Sequence, residues 1–263
     1  MGKLAIAVET FAFPLDNGLT IRGEVKAVPD GRPKAAVVAG HGFRGHKDWA
    51  FWPDVTRQLA ESGFYAVGFD FSRISARSEG ADEKRVAEAS TLTQELADLE
   101  AVVTRLRHGE LPLAEQADAE RITLLGHSRA GGSGILLASE RPELLKALVV
   151  WNGGVLPAPS DGPGLTLQER VIGEDLRANA NRFRIAEAFV GLTVPALVVQ
   201  GDRDREELIA QIKAFREKAP QQQYLFIEGA DHVFNTIHPY AGATGQLRKA
   251  LEGTIRFLKE KLD

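Results

Sequence analysis

The chain has 263 residues, of which 44% are hydrophobic, so it is long enough for one large α/β domain or two small ones. It carries 32 basic and 36 acidic residues, with a formal net charge of -4 and both signs mixed, so nucleic acid is not an expected partner. There is no cysteine, which excludes disulfides, a thiolate nucleophile and cysteine-ligated metal sites.

Neither a membrane nor a secretory segment is indicated. No apolar run approaches the length of a membrane span, and the first five residues do not have the apolar core of a signal peptide. We therefore expect a soluble cytoplasmic protein without membrane contact, while the composition leaves its oligomeric state open.

The chain begins with strand patterns and then alternates between strands and helices. Residues 5–13 and 19–27 are predicted strands joined by the tight turn Asp16-Asn17-Gly18, which favours an antiparallel hairpin. Further strands are predicted at 35–39, 65–69, 122–125, 148–151, 196–200 and 223–227, and helices at 49–62, 90–106, 128–139, 205–218 and 245–261. This order predicts an α/β protein whose mostly parallel central sheet has helices on both faces and the hairpin at one edge.

One segment interrupts the alternation. Residues 153–191 lie between two strands, begin rich in glycine and proline, and contain short helical patterns at 167–172, 175–183 and 185–190. Such a segment is too long for an ordinary connection. We predict a single domain, 1–263, in which 153–191 form a small helical cap, and the alternative is one crossover helix with a long entry loop.

The strongest chemical signal is the turn around Ser128. This serine follows an apolar strand and precedes a helical pattern, with Gly126 two residues before it and Ala130 two after. Small residues let the two arms of such a turn pass closely, and the N–H groups at the helix start are free to bind an anion. The pattern is a variant of the nucleophile elbow of acyl-transfer enzymes, with Ala130 where a second glycine is usual.

Other polar residues follow the predicted strands. In a parallel sheet, the residues that contact a ligand lie just past the carboxyl ends of the strands. The polar residues at these positions are His41, Asp70, Ser128, Asn152, Asp202, Asp204, Asp231 and His232. A nucleophile, a base and several acids are therefore expected at one edge of the sheet.

The order of these motifs resembles the α/β-hydrolase fold, and most nearly the bacterial esterases of the dienelactone-hydrolase and cinnamoyl (feruloyl) esterase type. The resemblance covers nearly the whole chain and rests on His41-Gly42-Phe43, Asp70-Phe71-Ser72 with Ser78-Glu79-Gly80, Gly126-His127-Ser128-Arg129, Gly201-Asp202-Arg203-Asp204 and Gly229-Ala230-Asp231-His232-Val233-Phe234. Residues 70–80 depart from the family, which usually carries glycines there. We interpret them as a structural loop.

The resemblance implies a Ser-His-Asp arrangement. Ser128 would be the nucleophile, and His232 would be the base that removes its proton. The histidine needs an orienting carboxylate, for which Asp202 and Asp204 compete. Asp204 is preferred because the acid in similar proteins is usually the last residue of Gly-x-x-Asp.

The resemblance also implies how the rest of the site is built. The backbone N–H groups of Phe43 and Arg129 would form the oxyanion hole that binds the negative oxygen of the tetrahedral intermediate. Trp151, Leu156 and Phe234 are candidates for an apolar substrate pocket. No metal and no cofactor are expected.

We therefore predict a serine hydrolase that cleaves carboxylic ester bonds of a small-molecule substrate through an acyl-enzyme. One alternative is a small aminoacyl-peptidase or amidase related to prolyl oligopeptidase, which would use the same residues on amides. The other is a non-catalytic, hydrolase-like binding module. Such modules commonly lose one member of the triad, whereas all three candidates are present here.

Overall fold

The computed structural model describes residues 5–156, 158–160 and 162–262. Its strands are β1 (Ala7–Pro14), β2 (Thr20–Ala27), β3 (Lys34–Gly40), β4 (Tyr65–Asp70), β5 (Ala117–His127), β6 (Ala147–Trp151), β7 (Ala196–Gly201) and β8 (Gln223–Ile227). They form an eight-stranded sheet in the order β1-β2-β4-β3-β5-β6-β7-β8. The strand β2 pairs antiparallel with β1 and β4, and the remaining pairs are parallel, which confirms the predicted sheet and its edge hairpin.

Helices cover both faces of this sheet. They are α1 (Trp52–Glu61), α2 (Ser72–Ser78), α3 (Glu83–Ala89), α4 (Leu92–Arg107), α5 (Arg129–Glu140), α6 (Leu167–Ala178), α7 (Ile185–Val190), α8 (Glu206–Lys218) and α9 (Gly245–Leu262). Successive side chains of a strand point to opposite faces, so Val38 of β3 belongs to the core cluster that includes residues of α4, α5 and α8, and Val37 belongs to the cluster that includes residues of α1 and α9. Both faces of the central strands are therefore buried, as their continuous apolar sequences predict.

Residues 70–80 do not form the predicted loop. The helix α2 begins directly after β4, and α3 follows it. The sequence gives no apolar stripe here because α2 buries polar side chains, namely Ser72, Arg73 and Ser75, together with Ala76. The role of Arg73 becomes clear only from its partners near the candidate site.

In the described residues of the segment 153–191, there are two helices instead of the three predicted pieces. The helix α6 begins at a capping box formed by Thr166 and Glu169 and continues through Gly173, so no separate helix spans 175–183. Asp175 accepts hydrogen bonds from the backbone N–H groups of Leu92 (2.9 Å) and Thr93 (3.1 Å), which fastens α6 to the start of α4. Residues 157 and 161 of the predicted cap lie outside the described residues.

Neither a membrane-spanning helix nor a metal-ion site is found in the described ranges. Within them, no helix is both long and apolar enough to cross a bilayer. Over the same ranges, no three His, Asp or Glu side chains come together as ligands for a metal ion.

Candidate active site

Ser128 lies in a sharp turn between β5 and α5. Its backbone has φ 58° and ψ -122°, a strained conformation for a residue with a side chain. The turn is tight enough that a Cβ at Gly126 would lie 2.3 Å from the carbonyl oxygen of Ala130, so glycine is required there. The methyl group of Ala130 itself is accommodated in the core, which explains why the second glycine of the motif is dispensable.

The side chains of Ser128, His232 and Asp204 form a hydrogen-bonded row. The Nε2 atom of His232 lies 2.9 Å from the Ser128 hydroxyl oxygen. On the other side of the ring, Nδ1 lies 2.8 and 3.0 Å from the two carboxylate oxygens of Asp204. A carboxylate accepts only, so Nδ1 carries the proton, and Nε2 is left to accept the proton of the serine hydroxyl.

The Asp204 carboxyl is held in its charged form. Burial raises the pKa of Asp204, but hydrogen bonding and attraction to His232 outweigh burial, so the pKa lies below its ordinary value. The carboxylate also accepts from the backbone N–H of Arg205 (2.7 Å) and from the Gln200 amide (3.2 Å). These hydrogen bonds hold the Asp204 carboxylate in the orientation in which it faces the imidazole of His232.

The other two aspartates of these loops have different partners. Asp202 accepts a 2.7 Å hydrogen bond from the backbone N–H of Gly229, which joins the loop after β7 to the turn after β8. Asp231 accepts from the N–H groups of Val233 and Asn235 and so shapes the loop after β8 that contains His232, which we call the histidine loop. The structure therefore brings Asp204, and neither of these two, to the imidazole of His232.

The backbone of His232 is fixed by two buried side chains. Its carbonyl oxygen accepts from His127 Nε2 (2.8 Å) and from Asn152 Nδ2 (3.0 Å). Burial, and after it the nearby imidazole of His232, lower the pKa of His127 to about 4, so His127 is neutral at pH 7. The Asn152 Oδ1 atom accepts from the N–H of Gly201, so this asparagine connects the ends of β6 and β7 to the histidine loop. The sequence marked Asn152 only as a polar residue at a strand end.

The two candidate oxyanion donors lie on either side of Ser128. Phe43 and Arg129 line the same pocket as the serine. In the part of the chain that the structure describes, neither backbone N–H donates a hydrogen bond, so both are free to bind an anion. Gly42 passes directly over the nucleophile, since a Cβ there would lie 3.6 Å from the Ser128 hydroxyl oxygen.

A pocket of about 680 Å³ opens above Ser128. Leu156, one of the three pocket candidates from the sequence, is among the residues that line it. The other apolar lining residues include Trp49, Trp52, Val155, Ile172, Leu176 and Val233. Residues of 153–191, including part of α6, thus form one wall.

Trp151 and Phe234 do not line this pocket, so their prediction as pocket residues is wrong. Both are fully buried, and their rings pack together with centroids 5.3 Å apart. The indole N–H of Trp151 donates to the Thr254 hydroxyl on α9, so its side chain points to the α9 face of the sheet. A position at the end of a strand does not by itself decide which face the side chain takes.

The comparison with known protein families covers most of the chain. Residues 23–262 match the model of the dienelactone hydrolase family. The chain belongs to the dienelactone hydrolase family. It is therefore a hydrolase of the esterase type with the α/β-hydrolase fold, and the predicted resemblance is confirmed. No curated protein matches its sequence.

Solved structures support the same fold for this dienelactone hydrolase family member. Est1E from Butyrivibrio proteoclasticus is 20% identical, with a TM-score of 0.71 over 96% of this chain and 98% of Est1E. A putative dienelactone hydrolase from Klebsiella pneumoniae is 19% identical, with a TM-score of 0.67 over 97% of this chain and 99% of that protein. A second Est1E structure has ferulic acid bound; it is 21% identical, with a TM-score of 0.65 over 97% of this chain and 96% of that chain.

Proposed function

We propose that this family member hydrolyses carboxylic esters through a Ser-His-Asp triad and an acyl-enzyme. One observation carries the proposal: in the hydrogen-bonded row, the His232 ring nitrogens lie within 3.0 Å of the Ser128 hydroxyl oxygen on one side and of the Asp204 carboxylate oxygens on the other. Such a row activates a hydroxyl that is otherwise a weak nucleophile at neutral pH.

The first half of the reaction forms the acyl-enzyme. The Ser128 oxygen attacks the acyl carbon while His232 Nε2 takes the hydroxyl proton, and Asp204 stabilises the imidazolium. The carbonyl oxygen becomes an oxyanion and accepts from the N–H groups of Phe43 and Arg129. The bond to the alcohol oxygen then breaks, and His232 returns the proton to the leaving alcohol.

The second half releases the acid. A water molecule gives a proton to His232 and attacks the acyl carbon, and the same N–H groups bind the second oxyanion. The bond to Ser128 then breaks, and His232 returns the proton to the serine oxygen. No cofactor takes part in either half of the reaction. The substrate is a small-molecule ester.

Two observations guide the choice of substrates. The pocket of about 680 Å³ has room for a bulky group, and tryptophan and aliphatic side chains line it. Ferulic acid is bound in one of the Est1E structures. Aromatic acyl esters therefore belong in the first set of substrates, beside short aliphatic ones.

The proposal is tested by active-site labelling together with a substrate comparison. A fluorophosphonate probe is expected to label the parent protein on Ser128 and to leave Ser128→Ala unlabelled. Short p-nitrophenyl esters and methyl ferulate are then compared with an aminoacyl p-nitroanilide. We expect faster turnover of the esters, whereas a preference for the anilide would favour the peptidase alternative. Absence of labelling in the parent would favour a binding module.

The close approach of Gly42 to Ser128 gives a prediction of its own. A methyl group there would lie 3.2 Å from Ser128 Cβ, in the space that the substrate carbonyl needs. We expect Gly42→Ala to lower kcat/KM for p-nitrophenyl acetate by about 10-fold or more, because small misplacements at a reacting centre are costly.

Gly45→Ala is the matched control, since a Cβ at that position of the same loop makes only ordinary contacts, the nearest at 3.5 Å. We expect its kcat/KM to stay close to the parent value. Equal kcat/KM for both variants would mean that Gly42 does not border the reacting group.

A further inference from the structure

Three charged side chains form a buried cluster beneath the loop after β3 that contains Gly42 and Phe43, which we call the oxyanion loop. Arg73, Glu95 and Arg129 are all nearly inaccessible to solvent. The Glu95 carboxylate lies 2.7 Å from Arg73 Nη1 and 3.1 Å from Arg129 Nε. The hydroxyl of Ser133 also donates to it at 2.7 Å. We call Arg73, Glu95 and Arg129 the arginine cluster. A buried charge costs free energy unless it is paired. The two arginines and Glu95 therefore stay in contact in the folded protein.

The remaining donors of Arg73 reach the loop that carries the first oxyanion donor. Its Nη2 donates to the carbonyl of Gly42 and its Nε to the carbonyl of Phe43, each at 3.3 Å. The ring of Phe43 also faces both arginines, with its centroid 5.1 Å from the guanidinium carbon of Arg73 and 4.6 Å from that of Arg129. The planar guanidinium of Arg73 thus donates to the carbonyls of two consecutive residues, Gly42 and Phe43, and also contacts the Phe43 ring.

The carbonyl of Gly42 and the N–H of Phe43 belong to one peptide group. His41 Nδ1 lies 2.8 Å from that carbonyl. Because the N–H of Phe71 donates to His41 Nε2 at 3.3 Å, Nδ1 carries the proton and donates to Gly42. The carbonyl end of this peptide therefore accepts from an imidazole and from a guanidinium, while its N–H end is free.

We propose that Arg73 is a positioning residue that fixes and polarises the Gly42–Phe43 peptide as an oxyanion donor. A charged donor on the carbonyl draws electron density through the peptide and strengthens its N–H as a donor on the other side. Glu95 connects Arg73 to Arg129, the residue of the second donor, so the arginine cluster fixes both donors relative to each other. The inference rests on the proposed function, because it assigns a role within the same oxyanion hole.

Arg73 retains its charge in this setting. Burial lowers the pKa of Arg73 to about 10, while the attraction of Glu95 opposes that change. The guanidinium is therefore cationic at neutral pH. The helix α2 places Arg73 there, which gives this one buried residue of α2 a role that the sequence did not indicate.

The test replaces Arg73 with methionine, which keeps much of the side-chain length and removes every donor. Activity on p-nitrophenyl acetate is expressed per active site titrated with the fluorophosphonate probe, so a smaller folded fraction does not lower the value. We expect kcat to fall about 10- to 100-fold with KM within about threefold, since weakening one donor costs less than removing it. The inhibition constant of an alkyl trifluoromethyl ketone, which forms a tetrahedral oxyanion on the serine, should rise by a similar factor.

The control is Arg57→Met, which removes an arginine paired with Asp54 and Glu61 on the surface of α1. It should leave both kcat and the inhibition constant unchanged. If kcat of Arg73→Met stays within twofold of the parent, or falls while the inhibition constant does not change, the inference is wrong.

Arg73→Lys serves if the methionine variant does not fold. A lysine keeps the charge, but its three donors sit on one nitrogen and cannot reproduce the fork in which three separate nitrogens of Arg73 reach Glu95 and two carbonyls. We expect at least a threefold loss of kcat, and a loss below twofold overturns the inference. A parent protein that the probe does not label would instead refute the proposed function, so the two failures are distinguishable.

Discussion

Replacing Ser128 with alanine is expected to lower kcat for short p-nitrophenyl esters by about 10³-fold or more, because covalent catalysis is lost and only binding and the oxyanion hole remain. The Ser128 hydroxyl lies 2.9 Å from the His232 nitrogen that is to take its proton, and the substitution removes that single atom. Initial rates with p-nitrophenyl acetate, measured against the uncatalysed reaction, give the effect.

Ser139→Ala is the matched control for this prediction. Ser139 lies on the exposed part of the same helix, α5, and its replacement should leave kcat unchanged. A Ser128→Ala variant that keeps near-parental turnover would remove this serine as the nucleophile.

Asp204→Asn is expected to lower kcat by about 10²- to 10⁴-fold while leaving the fold intact. An asparagine amide that donates to Nδ1 favours the tautomer with the proton on Nε2. That nitrogen then faces Ser128 with a hydrogen atom and cannot take the proton of the hydroxyl. Steady-state kinetics with the same ester, together with a thermal unfolding curve, measure both parts of the prediction.

Asp202→Asn tests the competing assignment with an identical chemical change. Its amide oxygen can still accept from the N–H of Gly229, as the Asp202 carboxylate does at 2.7 Å. We expect activity near that of the parent. A large loss in Asp202→Asn with little loss in Asp204→Asn would reassign the orienting acid.

The sheet and most of its helices could be predicted because their patterns are local. Strands such as β3 and β7 are short apolar runs, and α4 carries an apolar stripe, so each sequence pattern determines its own element. The rule that functional residues follow parallel strands then placed Ser128, Asp204 and His232 at one edge. These predictions need no knowledge of distant contacts.

The features that escaped prediction depend on residues that are distant in sequence. In the sequence, Arg73 is only a charged residue in a stretch without an apolar pattern. Its role follows from Glu95 and the carbonyls of the oxyanion loop, which lie beside it only in the folded chain. Asn152 acquires its role only when the loop of His232 packs against it. A polar side chain that is buried against partners from other elements leaves no periodic signal.

The pocket shows the same limit for aromatic residues. Trp151 ends β6 and Phe234 lies in the loop after β8, close to the candidate triad, yet both point to the α9 side of the sheet. Their neighbours Asn152 and Val233 face the site or its loops instead. Neighbouring residues can point to opposite sides, so a shift of one position decides whether a side chain lies in the core or in the pocket. Proximity to the triad residues in sequence does not show which of the two it is.

The acyl-enzyme itself provides the most direct measurement. The protein is mixed with p-nitrophenyl acetate, quenched in acid within the first turnovers, digested and analysed by mass spectrometry. We predict an acetyl group on the Ser128 hydroxyl oxygen that is absent from Ser128→Ala. Steady ester turnover with no acyl group on Ser128, or with the acyl group on another side chain, would contradict the mechanism.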